Sequence, residues 1–136
     1  MPKDIKYPSE ERIIELNFLA LSLIKAKKSD QPQTLSRTRL TDILEKCKTQ
    51  SGDVYQKAMC LLKELVKRHP FASGNRRTAI LAAKEFVVEN SGTFKIENRP
   101  EQAQILIGIR EEYYTDQEIR EWIQYGKIRS FERFKR

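Results

Sequence analysis

The chain has a single histidine, His69, so any chemistry that needs an imidazole rests on that residue alone. It has two cysteines, Cys47 and Cys60. Their separation matches no metal-ligand or disulfide-framework spacing. Each falls on an apolar helical position, where a free thiol behaves as a small hydrophobe. No run of about 18 apolar residues is present, so the sequence offers no transmembrane helix. The first residues, Met1-Pro2-Lys3-Asp4-Ile5-Lys6, lack the apolar region of a signal peptide, and a cytoplasmic location is expected. There is no internal repeat and no low-complexity segment.

What the chain does contain suits one soluble globular domain spanning residues 1–136, large enough for a single core. Hydrophobic residues make up 39% and charged residues 33%, the balance expected of such a domain. The net charge of +7 points to an acidic partner: nucleotide, nucleic acid or an acidic protein surface. A solvated lysine-rich surface gives the same count.

The patterning is helical throughout. Ser9 can cap a helix whose first turn carries Glu10 and Glu11. Ile13, Ile14, Leu16, Phe18, Leu19, Leu21, Leu23 and Ile24 are apolar on more than one face. This predicts a largely buried helix over about residues 9–28, with Lys25, Lys27 and Lys28 at its negative end. After a polar loop, Leu40, Ile43, Leu44 and Cys47 mark a short second helix. Asp53 caps a third, whose apolar face is Val54, Ala58, Leu61, Leu62, Leu65 and Val66. A fourth runs over about 75–89 with Ala79, Ile80, Ala83, Phe86 and Val87 toward the core, and Asn90-Ser91-Gly92 stops it. Thr93 to Ile96 reads as a short extended piece. Pro100 opens a fifth helix with Ala103, Ile105, Leu106 and Ile109. Thr115 with Glu118 forms a capping box for a sixth, which carries Ile119, Trp122 and Ile123 and ends at Gly126. The basic tail, with Phe131 and Phe134 interleaved, is expected to be a mobile, solvated end. RNA binding by that tail is the alternative. The fold class is all-α.

The chemistry concentrates in His69-Pro70-Phe71-Ala72-Ser73-Gly74-Asn75-Arg76-Arg77-Thr78-Ala79, between the third and fourth helices. Gly74 and Asn75 fall at or just before a helix N-terminus, where the first backbone N–H groups lack partners and the dipole favours an anion. Arg76 and Arg77 add charge-assisted contacts suited to phosphate. His69 supplies a side chain that exchanges a proton near neutral pH. The bland alternatives are a turn with a cap, two solvated arginines and a structural histidine.

The same residues resemble the signature of the Fic/Doc family, His-x-Phe-x-(Asp/Glu)-(Gly/Ala)-Asn-(Gly/Lys)-Arg. His69, Phe71, Gly74, Asn75 and Arg77 match in order and spacing, and Thr78-Ala79 follow as they often do there. Arg76 stands where the death-on-curing (Doc) branch has a basic residue, and Ile80 where the Fic branch has a second arginine. The resemblance implies a helical bundle with the motif loop between two central helices. It also implies a Doc-like toxin that uses ATP and Mg²⁺ to phosphorylate a hydroxyl of a protein target, by analogy a translation elongation factor. Protein AMPylation is the alternative within the family. On this reading His69 is the catalytic base, Ser73, Gly74, Asn75, Arg76 and Arg77 hold the nucleotide's phosphates, and Phe71 anchors the loop.

Ser73 departs from the pattern, because the family has a magnesium-binding acid there. Three outcomes stay open: the metal is held by ATP and water, the protein is slow, or it only binds nucleotide or nucleic acid. Gln33 to Thr41 lies where the family has a flap that docks the target, with Leu35, Thr38 and Leu40 as expected contacts. Thr93 to Asn98 formally matches the inhibitory motif (Ser/Thr)-x-x-x-Glu-(Gly/Asn) but reads as extended, so a separate antitoxin is the expected restraint.

Overall fold

The computed structural model describes residues 4–23 and 32–132. Among these are six helices: α1 (Glu10–Leu23), α2 (Arg37–Thr49), α3 (Val54–Arg68), α4 (Asn75–Glu89), α5 (Glu101–Arg110) and α6 (Asp116–Tyr125). The only β pairing among the described residues is an isolated bridge between Thr34 and Phe71. The domain is all-α. None of the described helices is long and apolar enough to cross a membrane.

Helix α3 is the centre, packed against α2, α4, α5 and α6. Its Ala58, Leu61, Leu62, Leu65 and Val66 are fully buried, which is why its sequence is apolar on most of its circumference. Even its Lys57 is buried. The ammonium donates to the carbonyls of Lys48 (2.8 Å) and Gln50 (2.7 Å), so it caps the C-terminal end of α2 with charge of the favourable sign. The expected caps form: Ser9 Oγ accepts from Arg12 N–H (3.1 Å), Asp53 from Gln56 N–H (3.0 Å), and Thr115 and Glu118 make the reciprocal box. Gly126 ends α6 in the left-handed region, and a Cβ there would stand 2.7 Å from the Lys95 carbonyl oxygen, so both conformation and space require glycine.

Two expectations change. Helix α1 is not buried all round: Phe18, Leu19 and Leu23 are 56%, 44% and 63% exposed. Among the described helices it packs mainly on α4 and α2, so one stripe of Ile13, Leu16, Ala20 and Leu21 suffices. The basic residues expected at its end, Lys25, Lys27 and Lys28, lie outside the described residues. Residues 93–96, the expected extended piece, join no sheet; Lys95 N–H donates to the Ile123 carbonyl (2.8 Å) and Thr93 N–H to the Tyr55 hydroxyl (2.9 Å). The tail is docked as far as Phe131. Arg129 pairs with Glu118 and lies 4.0 Å over the Tyr113 ring, and Phe131 meets the same ring edge-on at 5.0 Å. The Tyr114 hydroxyl donates to the Arg129 carbonyl (2.9 Å), and burial pushes that phenol up to about 12. Arg129 and Phe131 are therefore engaged within the fold; Phe134 lies outside the described residues.

Candidate functional site

Between α3 and α4 the chain reverses in six residues, and each is held for a different reason. His69 ends α3 in the left-handed region (φ 47°), a conformation that strains any residue with a Cβ. Arg39 of α2 supports this turn, its guanidinium donating to the carbonyls of Arg68 (3.4 Å) and His69 (3.3 Å). Pro70 stops the helix, and its carbonyl accepts from Leu35 N–H (2.8 Å) and Ser36 N–H (3.3 Å). Phe71 is 1% exposed and drives the loop into the core, the anchor role expected of it. Ala72 N–H donates to the Gln33 carbonyl (2.9 Å). Residues 33–36 thus run along 70–72 and fix them from one side.

The other side is fixed from α1. Asn17 is 1% exposed, and its amide donates to the Ser73 carbonyl (2.9 Å) and to Thr78 Oγ1 (3.1 Å). Gly74 follows at φ 77°. A Cβ there would lie 3.1 Å from Leu21 Cδ2 and 3.3 Å from Asn17 Nδ2, a tight fit that adds to the preference for glycine set by the positive φ. Helix α4 then begins with no side-chain cap. Its first N–H groups and the positive end of its dipole are left for an anion.

These residues form one side of a cavity of about 710 Å³. His69, Ser73, Gly74, Asn75, Arg76 and Arg77 all line it, so the structure brings every expected catalytic and phosphate-binding residue to one place. His69, Arg76 and Arg77 are exposed, and neither guanidinium has a partner among the described residues. Asn75 is also held from within the loop. Its side chain is buried and takes up both backbone groups of Phe71: Oδ1 accepts from the N–H (3.0 Å), and Nδ2 donates to the carbonyl (2.8 Å). These contacts fix the amide's orientation and turn Nδ2 toward His69 Nδ1 at 3.3 Å. That distance is long for a hydrogen bond, so the contact orients the ring without locking its tautomer. Asn75 is thus a brace for the loop and the imidazole, and it offers an anion its backbone rather than its amide.

The docking residues separate. Leu35 is 55% exposed beside the loop, and Thr38 is exposed on the first turn of α2. Leu40 is fully buried in the core and presents nothing to a docking segment; it belongs to the apolar stripe of α2 with Ile43 and Leu44. Residues 93–98 make no helix, and Glu97 pairs with Arg99.

Sequence reasoning missed two parts of the site. One is Asn17, a polar residue in the apolar run of α1 whose oddity was the available signal. The other is the opposite wall, formed by Asn98, Arg99, Pro100, Ala103, Leu106 and Arg110. Positions 103, 106 and 110 recur at helical spacing and put one face of α5 on the cavity, with Arg99 just before the helix. Reading Leu106 as core only, which its burial also supports, hid this.

A divalent metal fits the site poorly. Such an ion is held through carboxylates together with substrate phosphates. None of the residues lining the cavity is acidic, the family's acidic position is Ser73, and no cluster of three potential ligands exists among the described residues.

The model of the Fic/DOC family matches residues 8–87, more than half of the chain. No curated protein matches it. The matched span takes in α1, α2, α3, the loop from His69 and most of α4, and stops before α5. The residues that build the loop are thus the ones the match covers, and the chain belongs to the Fic/DOC family.

Proposed function

We propose that the protein is a Doc-like transferase that moves the terminal phosphate of ATP to a hydroxyl of a protein target. The observation that carries this reading is the exposed His69 on the same cavity as the uncapped start of α4 and the two unpartnered arginines, Arg76 and Arg77. A base beside an anion site is what hydroxyl activation next to a polyphosphate needs.

In the reaction the target oxygen attacks the γ-phosphorus. The new O–P bond forms as the bond to the β-phosphate oxygen breaks, and ADP leaves. The hydroxyl proton passes to the imidazole of His69. Guanidinium groups and backbone N–H donors stabilise charge on the transferring phosphoryl group. Family resemblance makes a threonine of a translation elongation factor the natural target and a separate antitoxin the natural restraint. A cytoplasmic location goes with that target. Arg76, basic as in the Doc branch, favours transfer of the terminal phosphate over AMPylation. The lack of a carboxylate along the cavity favours a second reading, a module that binds nucleotide or nucleic acid without transfer.

The test is incubation of wild type and His69→Ala with cell lysate and ATP labelled on the α or the γ phosphate. Protein label from γ only, reduced about 10²–10⁴-fold in the variant, is the expected result. Label from α would make the protein an adenylyltransferase. No label from either, with ATP still bound, would leave the binding module.

A further inference from the structure

We propose that this site binds the polyphosphate of a nucleotide without a divalent metal, and that Arg110 of α5 supplies the charge a metal would otherwise bring. The proposal rests on the nucleotide reading above and goes beyond it, because the family match ends at residue 87 and does not reach Arg110.

The first ground is the sign of the cavity wall. Arg76, Arg77, Arg99 and Arg110 line it, and no lining residue carries a carboxylate. Arg99 is neutralised by Glu97. The guanidiniums of Arg76, Arg77 and Arg110 pair with none of the described residues. Three unpaired cations around one cavity repel each other when it is empty, and an anion between them relieves that repulsion. A magnesium ion would add positive charge to a wall that already has it, with only the neutral oxygen of Ser73 at the family's acidic position.

The second ground is position. Arg99 precedes α5 and Arg110 ends it, so the roughly 15 Å length of this ten-residue helix lies between them. Lys67, two residues before His69, pairs with Glu112, two residues after Arg110. That ion pair ties the end of α5 to the end of α3. Arg110 is therefore the α5 arginine at the imidazole's end of the cavity, opposite the start of α4. Toward Arg99 the same wall carries no further cation: Asn98, Gln102, Ala103 and Leu106 line it.

Calorimetric titration with ATP tests this, in EDTA and in excess Mg²⁺, on wild type and Arg110→Gln. Arg110 is exposed, so the variant should unfold at the wild-type temperature, which a thermal melt checks. Wild type should bind in EDTA at least as tightly as with Mg²⁺. Arg110→Gln should weaken binding in EDTA about tenfold or more, the loss expected for one charge-assisted contact. Binding seen only with Mg²⁺, or an unchanged affinity in Arg110→Gln, overturns the proposal and leaves the nucleotide reading standing. No binding of ATP or of inorganic tripolyphosphate under either condition overturns both.

Discussion

Asn17→Ala should destabilise the protein and loosen the phosphate loop at once. Asn17 is 1% exposed and spans two elements, donating to the Ser73 carbonyl at 2.9 Å and to Thr78 Oγ1 at 3.1 Å. A buried hydrogen bond contributes about 0.5–1.5 kcal/mol net, and losing one partner of a buried pair costs more, so the two together are worth roughly 2–3 kcal/mol. At a urea slope of roughly 2 kcal/mol/M this lowers the unfolding midpoint by about 1–1.5 M with the slope unchanged. ATP affinity should fall as well, because the Ser73 carbonyl sits one residue before the start of the anion loop. In a Thr78→Val background the same substitution should cost less, since one of the two bonds is already gone. A stability loss under about 0.5 kcal/mol with unchanged ATP affinity would refute the idea that Asn17 holds the loop.

Two further predictions follow from the same geometry. Gly74→Ala forces a Cβ into the left-handed region and against Leu21 and Asn17, so it should cost at least about 1–2 kcal/mol and reduce ATP binding; an equal melting temperature would contradict the close approach of α1. Asp53 is held down to about 2, first by its hydrogen bonds from Arg120, against an ordinary value of 3.8. Its folded value is depressed, so the stabilisation is fully present above about pH 4 and is lost as pH falls toward 2. With half the carboxylate exposed, solvent screening keeps the contribution to about 1 kcal/mol. Asp53→Asn keeps a capping oxygen and should flatten that part of the stability–pH curve by the same amount; parallel curves in urea unfolding at pH 5, 4, 3 and 2 would show that the pair contributes nothing.

The parts of the fold that were legible in the sequence are those written in local chemistry. Asp53, Thr115 with Glu118, and Gly126 act through neighbours within a turn, and they marked the ends of α3 and α6 where the structure has them. The motif loop was legible because its residues are contiguous. The misreadings are tertiary. Phe18, Leu19 and Leu23 look like core in a one-dimensional pattern, and they are exposed because the described residues that α1 packs against cover its other face. Leu40 was read both as an apolar position of α2 and as a docking contact, because the start of α2 at Arg37 depends on Ser36 Oγ accepting from Arg39 N–H, a weak cap to read in a polar run. The bracing role of Asn75 was equally hidden: its amide is held by Phe71, four residues earlier. The α5 wall and Asn17 reach the site from far along the chain, and no spacing rule connects them to His69.

The central claim is that the cavity between the motif loop and α5 is the nucleotide site. A crystal structure of the complex with a non-hydrolysable ATP analogue, grown without and with Mg²⁺, tests it most directly. The account predicts phosphate oxygens at hydrogen-bond distance, about 3 Å, from the first N–H groups of α4 and from the guanidiniums of Arg76, Arg77 or Arg110, with the terminal phosphate on the His69 side. Nucleotide seated elsewhere, such as the 360 Å³ cavity beside Trp122 and Phe131, with the motif loop untouched, would contradict it.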